Sequence, residues 1–260
     1  MSNLKIEWLK IRNYRTFWIL SALFIVCVAG VNYMIYQIES SVKVPVGMLV
    51  GSPFGFPDVW QTVSYISSFL LFFPGLILLI LVTNEYNYKT QRQNIIDGIS
   101  RFEFAFTKIV MAIILSVSAT LLTAAIAVLS GIFVGSDFSF SGCTYILYFF
   151  LQAITYTLAG LLFGFLFKKS GLAIALYFIY LFFIKNILSA LVNHYIMHTA
   201  GYYFPVKSSD ALIPFPIFQN FSEHLHLFAS PNATLLLVFT LAYLLIFYFI
   251  IIKKFTTEDL

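Results

Sequence analysis

The sequence predicts an all-α integral membrane protein with six transmembrane helices. Hydrophobic residues make up 60% of the 260 and charged residues only 10%, with a mean hydropathy of +0.91, whereas about a quarter of a soluble domain is charged. The apolar residues fall in six runs of about twenty or more, the length that carries a helix across a hydrocarbon core of about 30 Å. Phe (30) and Tyr (16) are abundant, which suits lipid-facing surfaces and interfacial belts rather than a small-ligand cage. Two cysteines, Cys27 and Cys143, cannot form a disulfide framework.

In residues 1–16, Leu4, Trp8 and Ile11 recur at helical spacing while Lys5, Lys10, Arg12 and Arg15 supply positive charge. The pattern predicts an amphipathic interfacial helix with a basic face, with Trp8, Lys10, Arg12 and Arg15 at the membrane surface. The bland reading is a disordered basic tail that only sets orientation. Residues 17–38 form the first span, too long for a signal-peptide core. Residues 39–59 hold three prolines and three glycines, the marks of a loop with turns. The second span, 60–83, carries Pro74-Gly75 and should kink near its middle, because proline removes a backbone donor and clashes with the preceding turn.

Residues 84–107 are the one sizeable charged island inside the sequence. Glu85 precedes Lys89 by four residues, the favourable order for a helical ion pair. Gly98 then interrupts the pattern, and Ser100 with Glu103 makes a capping box that starts a new helix. A helix, a break and a freshly capped helix form a rigid elbow suited to docking a soluble partner.

Spans three, four and five follow at 108–134, 143–167 and 171–192. In the fourth, Thr155, Thr157, Ala159, Gly160 and Gly164 are small residues spaced for close helix contact. Lys185 lies within the fifth, where a charge is costly and by default functional. Two roles stand for it: snorkelling or packing, or, with Asn186, lining a translocation path. Residues 193–232 are too apolar for a free loop and predict short helices lying on or dipping into the outer surface. The sixth span covers 233–252. All four histidines lie in the outer stretch, His194 with His198 and His224 with His226. These spacings allow a metal site, but no cysteine or carboxylate cluster joins them apart from Glu223, and no metal ligand is assigned.

Lys5, Lys10, Arg12, Arg15, Lys89, Arg92, Arg101, Lys108, Lys168, Lys169, Lys253 and Lys254 fall on one side of the six-span topology, Lys43 and Lys207 on the other. The positive-inside rule then makes both termini and the elbow cytoplasmic, so the net charge of +4 reflects topology and argues no nucleic-acid partner. The sequence holds no glycine-rich phosphate loop, GxSxG, HExxH or paired intramembrane carboxylates. Any energy source must therefore come from another polypeptide.

Together these features resemble a membrane subunit of the ABC-2 type ABC transporter family. The residues that carry the resemblance are Glu85-Tyr86, Lys89-Thr90, Arg92-Gln93, Gly98, Ser100-Arg101 and Lys108, similar to that family's acid, Thr, base and downstream Ser-Arg before the third span. The resemblance implies a non-enzymatic permease in a bacterial inner membrane, paired with a copy or relative of itself and with two ABC ATPase subunits. ATP and Mg would be held by those partners, with no cofactor on this chain and lipids as its surroundings. It makes 84–107 the coupling helix, with Glu85, Tyr86, Lys89, Thr90, Arg92, Asp97, Ser100 and Arg101 as the expected ATPase-coupling residues. It likens 193–232 to re-entrant helices that close the exit. Export of an apolar or amphipathic compound is the expected activity. The competing classes are a metal-dependent membrane enzyme acting on lipid through the outer histidines, and a non-transporting anchor for an ATPase.

Overall fold

The computed structural model describes residues 3–41, 53–195, 199–215 and 231–257, and every regular element among them is helical. Helix α1 (Asn3–Arg12) turns at Tyr14 into α2 (Arg15–Ser41). The 27-residue α2 buries only Phe24, Val28 and Asn32, a stripe repeating every four residues. Ile19, Val26 and Met34 on its other faces are each about two-thirds exposed. So wide an apolar surface suits lipid or a second subunit rather than water.

The second apolar run divides into α3 (Val59–Ser68) and α4 (Phe72–Asn87), bent by 40° at Phe69–Leu71. The bend therefore precedes Pro74-Gly75 instead of coinciding with it. Pro74 is the third residue of α4, within the first turn, where backbone N–H groups have no helical partner and proline's missing donor costs nothing. Its ring would meet the carbonyl four residues back, at Leu70, and that residue lies in the break. Nine of the ten α3 residues are buried, which places this half-span at the centre of the bundle, against α2, α6 and α7.

Gly75 serves contact rather than bending. A Cβ on Gly160 would lie 2.2 Å from the Gly75 carbonyl oxygen, and one on Gly75 would lie 2.0 Å from the Tyr177 hydroxyl. Helices α4 and α7 (Thr144–Phe167) thus meet backbone to backbone, as the small residues of the fourth span predict; Thr155, Thr157, Ala159, Gly160 and Gly164 are all buried. Helix α5 (Thr90–Ile96) follows the second span, and α6 (Arg101–Phe133) rises from the elbow. At 33 residues α6 is about 50 Å long, so it outreaches a hydrocarbon core of about 30 Å.

Helix α8 (Ser170–Tyr195) contains a π turn at Tyr180–Ile184. Its buried stripe runs Tyr177, Leu181, Lys185, Ser189. Within residues 199–215 of the outer segment, the short helix α9 (Lys207–Asp210) packs against the bundle with Ser208 and Ser209 buried, and α10 (Ala233–Thr257) is the last described helix. Among the described residues five helices are long and apolar enough to cross a membrane, and the bent pair α3–α4 makes six. The end of α10 returns to the start of α6: Phe104 stacks on Phe255 at 4.7 Å, and Arg101 Nη1 donates to the Thr256 carbonyl at 3.1 Å. The N-terminal helix, the elbow and the end of α10 therefore share one end of the bundle.

Candidate functional site: an elbow mounted on buried charges

The capping box forms as its sequence requires. The Glu103 N–H donates to Ser100 Oγ at 3.2 Å, and the Ser100 N–H donates to Glu103 Oε2 at 3.1 Å. Gly98 takes φ +100°, a value that favours glycine because it has no Cβ. A further break, which the sequence does not predict, precedes it. Lys89 adopts a left-handed φ of +56°, which interrupts the helix that a Glu85–Lys89 pair requires.

Glu85 instead turns inward. Its Oε1 lies 3.0 Å from Lys10 Nζ and its Oε2 2.8 Å from Lys108 Nζ. Glu7 closes the ring, with Lys10 at 3.0 Å and Lys108 at 2.5 Å. Four charges of alternating sign thus join α1, the end of α4 and the start of α6, and they sum to zero. Glu7, Glu85 and Lys108 are all buried. Burial raises the Glu7 carboxyl, but Lys108 and Lys10 outweigh it, so the net shift is downward from the ordinary 4.5. Tyr14 adds a further tie, accepting a hydrogen bond from Asn84 Nδ2 at 2.6 Å.

The expected coupling residues therefore divide into two sets. Glu85 belongs to the buried ring. Tyr86 is half-buried, its ring edge-on to Phe165 with the Lys168 ammonium 5.5 Å from its centroid. Thr90 turns its hydroxyl to the Glu85 carbonyl at 3.5 Å, Arg101 binds the end of α10, and Ser100 serves the cap. Lys89, Arg92 and Asp97 are exposed, beside Tyr88 at 77% and Ile96 at 84% exposure. The outward surface of the elbow is thus mixed apolar and charged.

In α1 the outward face is Lys5, Trp8, Leu9 and Arg12, all exposed, while Glu7 and Ile11 are buried. Trp8 and Ile11, which the sequence places on one apolar stripe, therefore separate, Trp8 outward and Ile11 into the core. The inward stripe is built around an acid, Glu7, whose signal in the sequence is its position three residues before Lys10.

A second cluster sits at the opposite end. Lys185 does not snorkel; it is buried, with Nζ 2.6 Å from Asp210 Oδ2 and 2.5 Å from the Tyr156 hydroxyl. Asp210 Oδ1 also accepts from Tyr156 at 2.9 Å and from Gln152 Nε2 at 3.0 Å. Asn186 accepts from Lys207 Nζ at 2.9 Å. Lys185 and Asn186 thus both hold the outer segment, and Asp210 is the partner that sequence reasoning missed. Val206 enters α9 at φ +66°, a strained value for a β-branched residue that costs about 1–3 kcal/mol.

Among the described residues no three His, Cys, Asp or Glu side chains are grouped as metal ligands would be. His194 is exposed against Tyr195, and His198, His224 and His226 lie outside the described residues.

Residues 3–184, from α1 through the π turn of α8, match the family model described as ABC-2 family transporter protein. The chain belongs to the ABC-2 transporter family. It is therefore a multi-pass membrane permease of an ABC transporter, a transport subunit of a kind that is generally non-enzymatic and generally works with an ABC ATPase. No curated protein matches the chain.

Proposed function

We propose that this chain is the membrane subunit of an ATP-driven exporter of an apolar or amphipathic compound, energised by a separate ATPase docking on the 84–107 elbow. Both termini and the elbow face the cytoplasm of a bacterial cell, and the working unit holds two membrane subunits and two ATPases, which carry the ATP and Mg. The observation that carries the reading is the mounting of the elbow. Its exposed residues Tyr88, Lys89, Arg92, Ile96 and Asp97 sit between α4 and α6, and those helices are fastened to each other and to α1 by the Glu7–Lys10–Glu85–Lys108 ring.

A push on α5 is then delivered to three helices together. The break at Phe69–Leu71 lets α4 tilt while α3 stays packed, and the Gly75–Gly160 contact offers a pivot without side chains. The Lys185–Asp210 pair holds the outer segment until the bundle moves. Lipid-linked compounds, peptide antibiotics and drugs all suit spans with aromatic faces and few charges.

Arg92→Glu with Ile96→Asp tests docking, since both residues are exposed and the ring is untouched. The expected result is loss of a co-purifying subunit that carries a phosphate-binding loop, with the membrane chain still folded and inserted. Retention of that subunit by the double variant would refute the elbow as the docking site. Glu85→Lys is a poorer test, because it breaks the buried ring as well.

A further inference from the structure

Helices α1 and α2 repeat one outward-facing pattern. Lys5, Trp8 and Leu9 stand at i, i+3 and i+4 on α1, and Arg15, Trp18 and Ile19 repeat that spacing at the start of α2. Arg12 completes the α1 stripe at i+7 from Lys5. All seven side chains are exposed, with Trp8, Leu9, Trp18 and Ile19 between 49% and 65%. The two helices are fixed as a corner, because Trp18 Nε1 donates to the Arg12 carbonyl at 3.0 Å.

The charge on this corner is one-sided. The acid of α1, Glu7, faces the interior and is neutralised there by Lys10 and Lys108. Lys5, Arg12 and Arg15 consequently present positive charge outward, each three or four residues along its helix from a tryptophan. Indoles settle at the headgroup level of a bilayer, and basic side chains at that depth attract anionic headgroups. We infer that the α1–α2 corner binds the phosphate headgroup of an anionic phospholipid, with Lys5, Arg12 and Arg15 on the phosphate and Trp8 and Trp18 against the glycerol and upper acyl chain.

The inference rests on the interfacial placement of α1 and not on the ATPase, so failed docking at the elbow would leave it standing. Its consequence reaches the elbow all the same. A lipid bound to the outer face of α1 steadies the helix whose inner face supplies Glu7 and Lys10 to the ring.

The chain's three tryptophans make the site observable. Trp60 is buried and hydrogen-bonded to the Ser139 carbonyl, so a full-length Trp60→Phe chain reports from Trp8 and Trp18 alone. This chain is placed in phosphatidylcholine vesicles holding a minority of phosphatidylglycerol, with the bromine quencher on the acyl chains of one lipid or the other. Brominated phosphatidylglycerol should quench more than brominated phosphatidylcholine at equal mole fraction, corresponding to about five-fold local enrichment for even one engaged basic side chain. Lys5→Gln, Arg12→Gln and Arg15→Gln together should bring the two to parity. These residues point outward, and an unchanged α-helical circular dichroism spectrum checks the fold.

Equal quenching by both lipids in the parent, or a preference that survives the triple change, would overturn the site. Displacement by inorganic phosphate, but not by chloride at equal ionic strength, would assign a soluble phosphate ligand and overturn the lipid.

Discussion

Replacing Lys185 by Met removes the cation that faces Asp210 and leaves the carboxylate, among the described residues, with the Tyr156 hydroxyl and Gln152 amide as donors. Removing one partner of a buried ion pair typically costs about 3–5 kcal/mol, because the remaining charge keeps its desolvation penalty without its Coulombic return. Lys185 is 6% exposed and Asp210 19%, so some water reaches the carboxylate and the lower end applies, about 3 kcal/mol. For a chain of this size that corresponds to a fall of roughly 6–12 °C in the unfolding midpoint. The double change Lys185→Met with Asp210→Leu removes both charges and should recover most of the loss. Thermal unfolding of the four purified proteins in one detergent closes the cycle. A silent Lys185→Met, or a double variant as damaged as the single, would refute the pair as the fastening of the outer segment.

Gly160→Ala places a Cβ 2.2 Å from the Gly75 carbonyl oxygen and should cost about 1–3 kcal/mol or more through overpacking. Gly164→Ala, whose Cβ meets its nearest atom at 3.3 Å, should cost less; comparing their unfolding midpoints checks the order. Glu7, held below its ordinary 4.5 by Lys108 and Lys10 against the effect of burial, contributes stability that is present above the unfolded value and lost as pH falls through the folded one. Acidification from neutral to below 4.5 should therefore release α1, seen in Trp8 fluorescence of a chain carrying Trp18→Phe and Trp60→Phe, and adding Glu7→Gln should abolish that transition.

What the sequence made legible was local. Composition and run length announce the spans, and Ser100 with Glu103 announces the start of α6 three residues apart. The ring could not be read, since Lys10 and Glu85 lie 75 residues apart and Glu7 and Lys108 lie 101 apart. No periodicity links such positions; only the packing of α1 under α4 and α6 does. Lys89 misled for another reason. Lysine has no preference for positive φ, so a helical spacing from Glu85 looked unbroken where the backbone turns. Pro74 was visible, yet its effect depends on its place relative to the helix start, which composition does not give. Asp210 sits in a segment whose apolar character hid the acidic partner of Lys185, 25 residues away.

The two charge clusters occupy opposite ends of the bundle and join elements that hydrophobic packing alone holds weakly. In lipid, helix association gains little from the hydrophobic effect, because acyl chains are as apolar as the side chains they would replace. The inner ring ties α1 to α4 and α6; the outer pair ties α9 to α7 and α8. Apolar contacts between sliding helices can exchange partners gradually, whereas a buried ion must keep its counter-ion or pass a steep penalty. Each cluster thus favours discrete arrangements over continuous drift. Between them lie the Phe69–Leu71 break and the glycine contact of α4 with α7, the places where backbone can bend or pivot without displacing a side chain. On the proposed reading, motion delivered at the elbow would be carried as a unit by the inner ring, absorbed at the bend, and resisted at the far end by Lys185 and Asp210.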